Sequence, residues 1–125
     1  MTKKQKIGKL LGRGVVEVVV RKNFEKRLLS KEKLRLKFGI DPTGADLHIG
    51  HMVVLRKLRA FQDLGHKVII IVGDYTARIG DPSGRDTMRE PMTLQYIEKN
   101  LKKFKELVGR ILDLGKTSFR HQTEW

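Results

Sequence analysis

The sequence predicts an α/β protein in which a helix crosses over between two parallel strands. Residues 34–40 alternate apolar with polar or glycine positions, the period of two that is typical of a strand. Residues 68–72 form an unbroken apolar run, which is typical of a parallel strand buried on both faces. Between them, residues 49–64 repeat apolar side chains at helical spacing. A right-handed crossover through this helix makes the two strands parallel.

The first 33 residues form a basic N-terminal segment with conflicting local signals. Residues 15–20 are valine except for Glu17, and β-branched side chains favour a strand. The flanking stretches, rich in lysine and leucine, favour helices instead. We expect a short helix from Asn23 to about Ser30.

Breaks and caps divide the remainder of the chain. Proline and glycine within residues 41–44 end the first strand, and Gly65 is well placed to end the helix over 49–64. Residues 73–86, with three glycines and a proline, are predicted to form a loop. A second helix is predicted over about 91–112, because apolar residues recur there at spacings of three and four and Pro91 suits a first helical position.

Composition excludes several classes of protein. The absence of cysteine excludes a disulfide framework and a thiolate metal site. No run approaches the ~20 apolar residues of a membrane span, and no apolar segment follows the basic start as in a secretory signal. A cytoplasmic protein is therefore expected.

The positive charge is concentrated at the beginning of the chain. The formal net charge is +13, and residues 1–40 hold 13 basic and 3 acidic side chains, whereas residues 41–81 hold five of each. Such a field favours a polyanionic partner such as RNA. A basic surface that faces only water is the alternative.

Two histidines mark the start of the helix over 49–64. His48 and His51 are three residues apart, and Gly50 between them lets a planar ligand approach the backbone. A helix N-terminus offers free N–H groups and partial positive charge, which suits a nucleotide phosphate. Two other interpretations remain at this point, namely a metal-binding histidine pair, although no HExxH pattern is present, and two unrelated surface histidines.

The candidate ligand site lies where the two predicted strands end. Residues 41–48 and 73–86 follow their carboxyl ends, and open parallel sheets bind ligands at that edge. The first of these loops leads into the histidine pair.

Three segments together resemble a known family. Residues 38–51, FGIDPTGADLHIGH, resemble the first signature of the class I aminoacyl-tRNA synthetases, and specifically of the tyrosyl-tRNA synthetases. IGDPSGR over 79–85 resembles the loop after that family's second strand, and RAFQDLGH over 59–66 resembles its helix end. Residues 123–125 resemble the start of a further family segment. The resemblance covers about residues 10–125.

The resemblance implies a fold and an activity. Residues 34–125 would form the N-terminal half of the HIGH-type, Rossmann-like catalytic domain, truncated, after the basic segment of residues 1–33. The family is a tyrosine–tRNA ligase, which uses ATP to convert L-tyrosine into tyrosyl-adenylate and then transfers the tyrosyl group to tRNA(Tyr). Mg²⁺ is expected with ATP, and no tightly bound metal is implied. A homodimer is expected for the full-length member, and no contact with a membrane is expected.

The same resemblance implies roles for particular residues. Thr43, His48 and His51 would be the catalytic residues, and tyrosine would contact Lys37, Asp41, Thr76 and Asp81. Asp81 would accept hydrogen bonds from the substrate ammonium, although an aspartate before a proline is also common in turns. Arg89 would contact phosphate or tRNA. The residues implied in ATP binding are Phe38, Gly39, Asp41, Pro42, Thr43, His48, Ile49, Gly50 and His51.

Two departures from the family pattern bear on these expectations. Lys37 stands where the better-known branch has an aromatic hydroxyl that recognises the substrate phenol, so how tyrosine is distinguished from phenylalanine is open. The second family signature, a K-M-S-K-S-like loop, is absent, and we expect an incomplete chain that is weakly active or inactive. Two other functions remain, a small HxGH-type adenylyltransferase and a non-enzymatic basic RNA-binding fragment.

Overall fold

The computed structural model describes residues 1–41, 49–75 and 93–125. Their helices and strands alternate after an initial helix pair, as the predicted α/β class requires. Short 3₁₀ turns lie at Leu114–Lys116 and Gln122–Glu124. The elements in chain order are α1 (Lys3–Gly12), α2 (Arg21–Leu29), β1 (Arg35–Ile40), α3 (Ile49–Asp63), β2 (Lys67–Val72), α4 (Leu94–Val108) and β3 (Thr117–His121).

The three described strands form one parallel sheet with β2 in the centre. Ile40 pairs with Val72, and Val72 pairs with His121, so the carboxyl ends of the strands are level with one another. The predicted parallel pairing of β1 and β2 is confirmed. Strand β3 was not predicted from the sequence, because its five residues have no continuous apolar run or clear amphipathic pattern.

The main core lies between the central strand and the two long helices. Val68 and Ile70 of β2 are fully buried and share a cluster with Leu55 of α3 and Phe104 and Val108 of α4. The intervening residues of β2, Ile69 and Ile71, are half-buried in the described part of the chain. The burial of β2 is therefore complete on one face and partial on the other, rather than equal on both faces as its apolar run suggested.

A second core joins the N-terminal helices to the βαβ unit. Ile7 and Leu11 of α1, Leu28 of α2 and Phe61 of α3 belong to one buried cluster. Helix α1 starts with a capping box between Thr2 and Gln5, which satisfies N–H groups that the helix itself leaves without acceptors.

The valine-rich stretch over residues 15–20 is not a strand. Val16, Val19 and Val20 are exposed, and Val20 has a left-handed backbone with φ of 52°. Only Val18 of this stretch packs against the second core. No described strand pairs with the stretch, so its β-branched side chains have no sheet to join.

The predicted helix boundaries need small corrections. Helix α3 ends at Asp63 and Gly65 follows with φ of 93°, the left-handed glycine expected beyond a helix end. Helix α4 begins after Thr93, whose side chain accepts a hydrogen bond from the Tyr96 N–H, and it ends at Val108 rather than near residue 112. Residues 74–75 have helical backbone, and the rest of the predicted 73–86 loop lies outside the described residues. None of the described helices has the length and hydropathy of a membrane-spanning segment.

Candidate active site

The carboxyl ends of β1 and β2 lie side by side, so Asp41 and residues 73–75 follow the strands at the same edge of the sheet. The Gly73 N–H donates to the Ile40 carbonyl at 2.9 Å, which extends the pairing of the two strands by one residue. Asp41 and Asp74 follow directly at this edge, and α3 begins nearby in the chain at Ile49. This arrangement matches the predicted ligand edge of a parallel sheet.

A hydrogen-bonded carboxylate joins the end of β2 to the end of β3. The Oδ1 atom of Asp74 accepts from the Tyr75 N–H at 3.0 Å and from the Thr123 N–H at 3.1 Å. Its Oδ2 atom accepts from the Thr123 hydroxyl at 3.0 Å and lies 3.1 Å from Nδ1 of His121. Four groups thus surround one carboxylate, so we infer that it is held in a single orientation.

The environment of Asp74 favours its ionised form. Burial by itself would raise the pKa of this carboxyl group. The hydrogen bonds from the side chain and backbone of Thr123, together with the bond and charge of His121, outweigh burial and lower the pKa below its ordinary value. Asp74 is therefore a carboxylate at neutral pH, and its charge strengthens the bonds that fix the turn after β3.

The turn after β3 has a second anchor. The carboxylate of Glu124 accepts from the His121 N–H at 2.8 Å and from Nε of Arg120 at 2.6 Å. The pKa of Glu124 is lowered, first by the Arg120 hydrogen bond and then by the His121 N–H. The turn that presents Thr123 to Asp74 is therefore held from both sides.

The predicted ATP-site residues on β1 divide between its two faces. Phe38 packs against the main core, so only its backbone is available to a ligand. Gly39, on the opposite face, has open space where a Cβ atom would stand, at least with respect to the described residues. Lys37 and Asp41 are exposed, and because they stand two residues before and two residues after Gly39 they lie on the same face as Gly39. The structure therefore brings Lys37, Gly39 and Asp41 into one row.

The start of α3 places three more predicted ATP-site residues close together. Ile49 and Gly50 are exposed, and His51 is half-buried one residue further along the helix. These residues lie at the N-terminal end of α3 as the structure describes it, and a helix N-terminus carries partial positive charge.

The structure does not describe the positions of several predicted site residues. Pro42, Thr43, His48, Thr76, Asp81 and Arg89 lie outside the described residues. Their assigned roles stay predictions from the sequence.

Sequence reasoning missed the Asp74 group entirely. An aspartate two residues beyond a buried strand was a usable signal for Asp74. His121 and Thr123 carried no such signal, because β3 itself was not predicted. In the described part of the chain, no three His, Cys, Asp or Glu residues are grouped so that they could hold a metal ion.

Comparison with known proteins identifies similar sequences and folds. The family model described as tRNA synthetases class I (W and Y) matches residues 29–125. A tyrosine–tRNA ligase from Dehalococcoides mccartyi is 52% identical over 120 residues, which cover 96% of this chain and 30% of that protein. The ligase from Thermotoga maritima is 48% identical over 125 residues, which cover 100% of this chain and 31% of that protein.

Solved structures show the same architecture. Tyrosyl-tRNA synthetase from Archaeoglobus fulgidus, solved with L-tyrosine, has a TM-score of 0.78 and 25% identity, covering 100% of this chain and 36% of that one. The Aeropyrum pernix enzyme shares the fold with a TM-score of 0.77 at 18% identity, covering 98% of this chain and 35% of that one. The chain thus spans about 30% of the length of the curated relatives reported above.

Proposed function

Since the chain belongs to the class I tRNA synthetases of the tryptophan and tyrosine group, we propose that it forms the first part of the catalytic site of a tyrosine–tRNA ligase. The observation that carries the proposal is the 52% and 48% identity to tyrosine–tRNA ligases along nearly the whole chain. In the proposed reaction, the tyrosine carboxylate attacks the α-phosphorus of ATP and pyrophosphate leaves. A ribose hydroxyl at the 3′ end of tRNA(Tyr) then attacks the tyrosyl carbonyl of the adenylate, and AMP leaves.

The described residues suit the nucleotide half of this reaction. Among the described residues none stands where a Cβ atom of Gly39 would lie, which leaves room for the ribose or base against the backbone of β1. The N-terminal end of α3, with Gly50 exposed and His51 beside it, attracts the phosphates through the partial positive charge of a helix N-terminus. By the family resemblance, Thr43 and His48 add side-chain donors that stabilise the charge developing on the phosphoryl group. ATP enters with Mg²⁺ as part of the substrate.

The tyrosine half of the site involves both neighbouring loops. Lys37 and Asp41 stand in the row on β1, and by the resemblance Thr76 and Asp81 complete the site from the chain that follows β2. Asp81 would balance the charge of the substrate ammonium. Asp74 already accepts bonds from the backbone and side chain of Thr123, so we assign it a positioning role at the base of that loop.

The proposal also covers the partners of the complete enzyme. They are L-tyrosine, ATP and tRNA(Tyr), and the enzyme would be a cytoplasmic homodimer. The net charge of +13 favours the polyanionic tRNA as a partner. Of the alternatives raised by the sequence, the family match over residues 29–125 favours the ligase over a small adenylyltransferase.

Amino-acid specificity provides the decisive test. A chimera would carry this chain in place of the matching 31% of the Thermotoga maritima ligase, to which it is 48% identical. We expect pyrophosphate exchange into ATP that depends on tyrosine and not on tryptophan. A folded chimera that exchanges with tryptophan, or with neither amino acid, would overturn the proposal.

The role of the first histidine can be tested in the same chimera. His48→Ala should lower the exchange rate about 100-fold with little change in the KM for ATP, because the donor acts mainly as charge develops in the transition state. Lys102→Gln, a change at an exposed position of α4, is the control and should leave the rate unaltered. Equal losses in rate and in ATP affinity would show that His48 binds the ground state instead.

A further inference from the structure

A concave basic surface is formed jointly by α1 and α3. The two helices pack together at their inner faces, and outside that contact lies an open groove of about 730 Å³. Five cationic residues line this groove, of which Lys57 is half-buried and four are exposed. We call it the α1–α3 groove and name its exposed cations Lys6, Lys9, Arg13 and Arg56.

The exposed cations of the α1–α3 groove lack acidic partners among the described residues. All four are exposed, and none has a carboxylate oxygen within salt-bridge distance in that part of the chain. The carboxylate that lines the groove, Asp63, is engaged by Nε of Arg59 at 2.9 Å. Some arginines on other surfaces are paired, as in Arg21 with Glu25 and Arg120 with Glu124, whereas Arg35 and Arg110 have no carboxylate within salt-bridge distance among the described residues. The groove differs from these single positions because it gathers four such cations at one concave place.

Hydrogen bonds from the half-buried Lys57 connect α3 to the end of α1 along the groove. Nζ of Lys57 on α3 donates to the Leu10 carbonyl at 2.7 Å and to the Arg13 carbonyl at 2.6 Å, both at the end of α1. These bonds satisfy carbonyl groups that a helix end leaves without donors. Burial, and then the charge of Arg13, lower the pKa of Lys57. The groove cations are therefore held near one another by the fold, and an anion that enters the groove relieves their mutual repulsion.

The groove extends away from the candidate active site. Its α3 lining starts at Val53, beyond His51, and continues to Asp63 at the end of the helix. A crossover helix runs opposite to the strands it connects, so this direction leads from the carboxyl edge of the sheet toward its amino edge. A molecule in the groove would therefore lie beside the reaction site and not in it.

We propose that the α1–α3 groove binds the phosphodiester backbone of a folded RNA. Lysine and arginine side chains spaced along a concave wall fit successive phosphates, whereas a flat bilayer surface cannot reach into such a groove. The inference rests on the proposed function only in naming tRNA as the RNA. Its contacts position the body of the RNA, while the 3′ end reaches the adenylate at the carboxyl edge.

The salt dependence of binding tests this inference directly. Fluorescence anisotropy would follow labelled bulk tRNA binding to the 125-residue chain across a series of KCl concentrations. The groove variant carries Lys6→Gln, Lys9→Gln and Arg56→Gln. Loss of three phosphate contacts should reduce the slope of log K against log[KCl] by about 2 to 3 and weaken binding by about 100-fold near 0.1 M salt.

A matched variant removes the same amount of charge elsewhere. Lys22→Gln, Lys99→Gln and Lys102→Gln change three exposed lysines outside the groove, on α2 and α4. We expect its slope to stay within about one unit of the unmodified chain. Equal losses in both variants would show binding by net charge alone and overturn the groove assignment. Binding to phosphatidylserine vesicles without binding to tRNA would also overturn it.

The chimera separates failure of this inference from failure of the proposed function. Adenylate formation does not require the tRNA body, so the groove variant should retain tyrosine-dependent pyrophosphate exchange. Its KM for tRNA in the transfer step should rise at least tenfold, following the lost phosphate contacts. An unchanged KM for tRNA together with normal exchange would refute the groove and leave the ligase assignment intact.

Discussion

Removing the carboxylate of Asp74 should destabilise the whole sheet, because that group joins two parallel strands at their carboxyl ends. In Asp74→Ala, the N–H and hydroxyl of Thr123 and Nδ1 of His121 all lose their acceptor. A hydrogen bond to a charged group contributes about 1.5–3 kcal/mol, and a buried donor left without a partner costs about 1–3 kcal/mol. The Asp74 side chain is 11% exposed, so water can replace some of these bonds. We therefore expect the free energy of unfolding to fall by about 3 kcal/mol.

Urea unfolding at pH 7, followed by far-ultraviolet circular dichroism, measures this loss. Asp63→Ala is the matched control, because the Asp63 carboxylate is 61% exposed and paired only at the surface with Arg59. Its cost should stay below about 1 kcal/mol. If Asp74→Ala is no more destabilising than Asp63→Ala, the argument from the hydrogen bonds is refuted.

The same carboxylate predicts a pH dependence with a definite sign. Its pKa is lower in the folded chain than in the unfolded chain, so its stabilising effect is fully present above the unfolded value of about 3.9. The effect is lost as the pH falls through the folded pKa. The stability difference between the unmodified chain and Asp74→Asn should therefore be constant above about pH 5 and shrink below about pH 4. A difference that grows on acidification would contradict the assignment.

Two further predictions concern buried polar side chains near the amino ends of the strands. Burial, and then the charge of Lys3, lower the pKa of His66, whose Nδ1 accepts the Leu34 N–H at 3.2 Å. Because His66 becomes protonated at a higher pH in the unfolded chain than in the folded chain, the free energy of unfolding should decrease as the pH falls below about 6.5. His66→Asn should abolish that decrease in urea titrations. Gln62, fully buried, accepts from the Asp113 N–H and donates to the Thr117 hydroxyl. Gln62→Ala should cost about 2–3 kcal/mol and reduce amide-exchange protection in β3 more than in β1; uniform loss of protection would contradict a local role.

The structure bears out the sequence patterns wherever one strong local signal dominated. The apolar run over residues 68–72 became β2, and the helical spacing over residues 49–64 became α3 with Gly65 beyond its end. Such signals are reliable because they depend only on residues close together in the sequence. The spacing of apolar side chains sets the strand or helix, and a glycine beyond the helix end takes the left-handed backbone. The resemblance over residues 38–51 also led directly to the family that the comparisons identify.

Other features depended on which segments meet in the folded chain. The valines of residues 15–20 have strong strand propensity but no partner strand, whereas the mixed residues of β3 form a strand because β2 offers them a parallel edge. Sequence by itself determined the βαβ unit, the basic N-terminal segment and the family. Only the tertiary structure decided that Asp74 meets Thr123, 49 residues later, and that the cations of α1 and α3 share one groove. Both contacts arise from strand order and helix packing, which join residues that no local pattern relates.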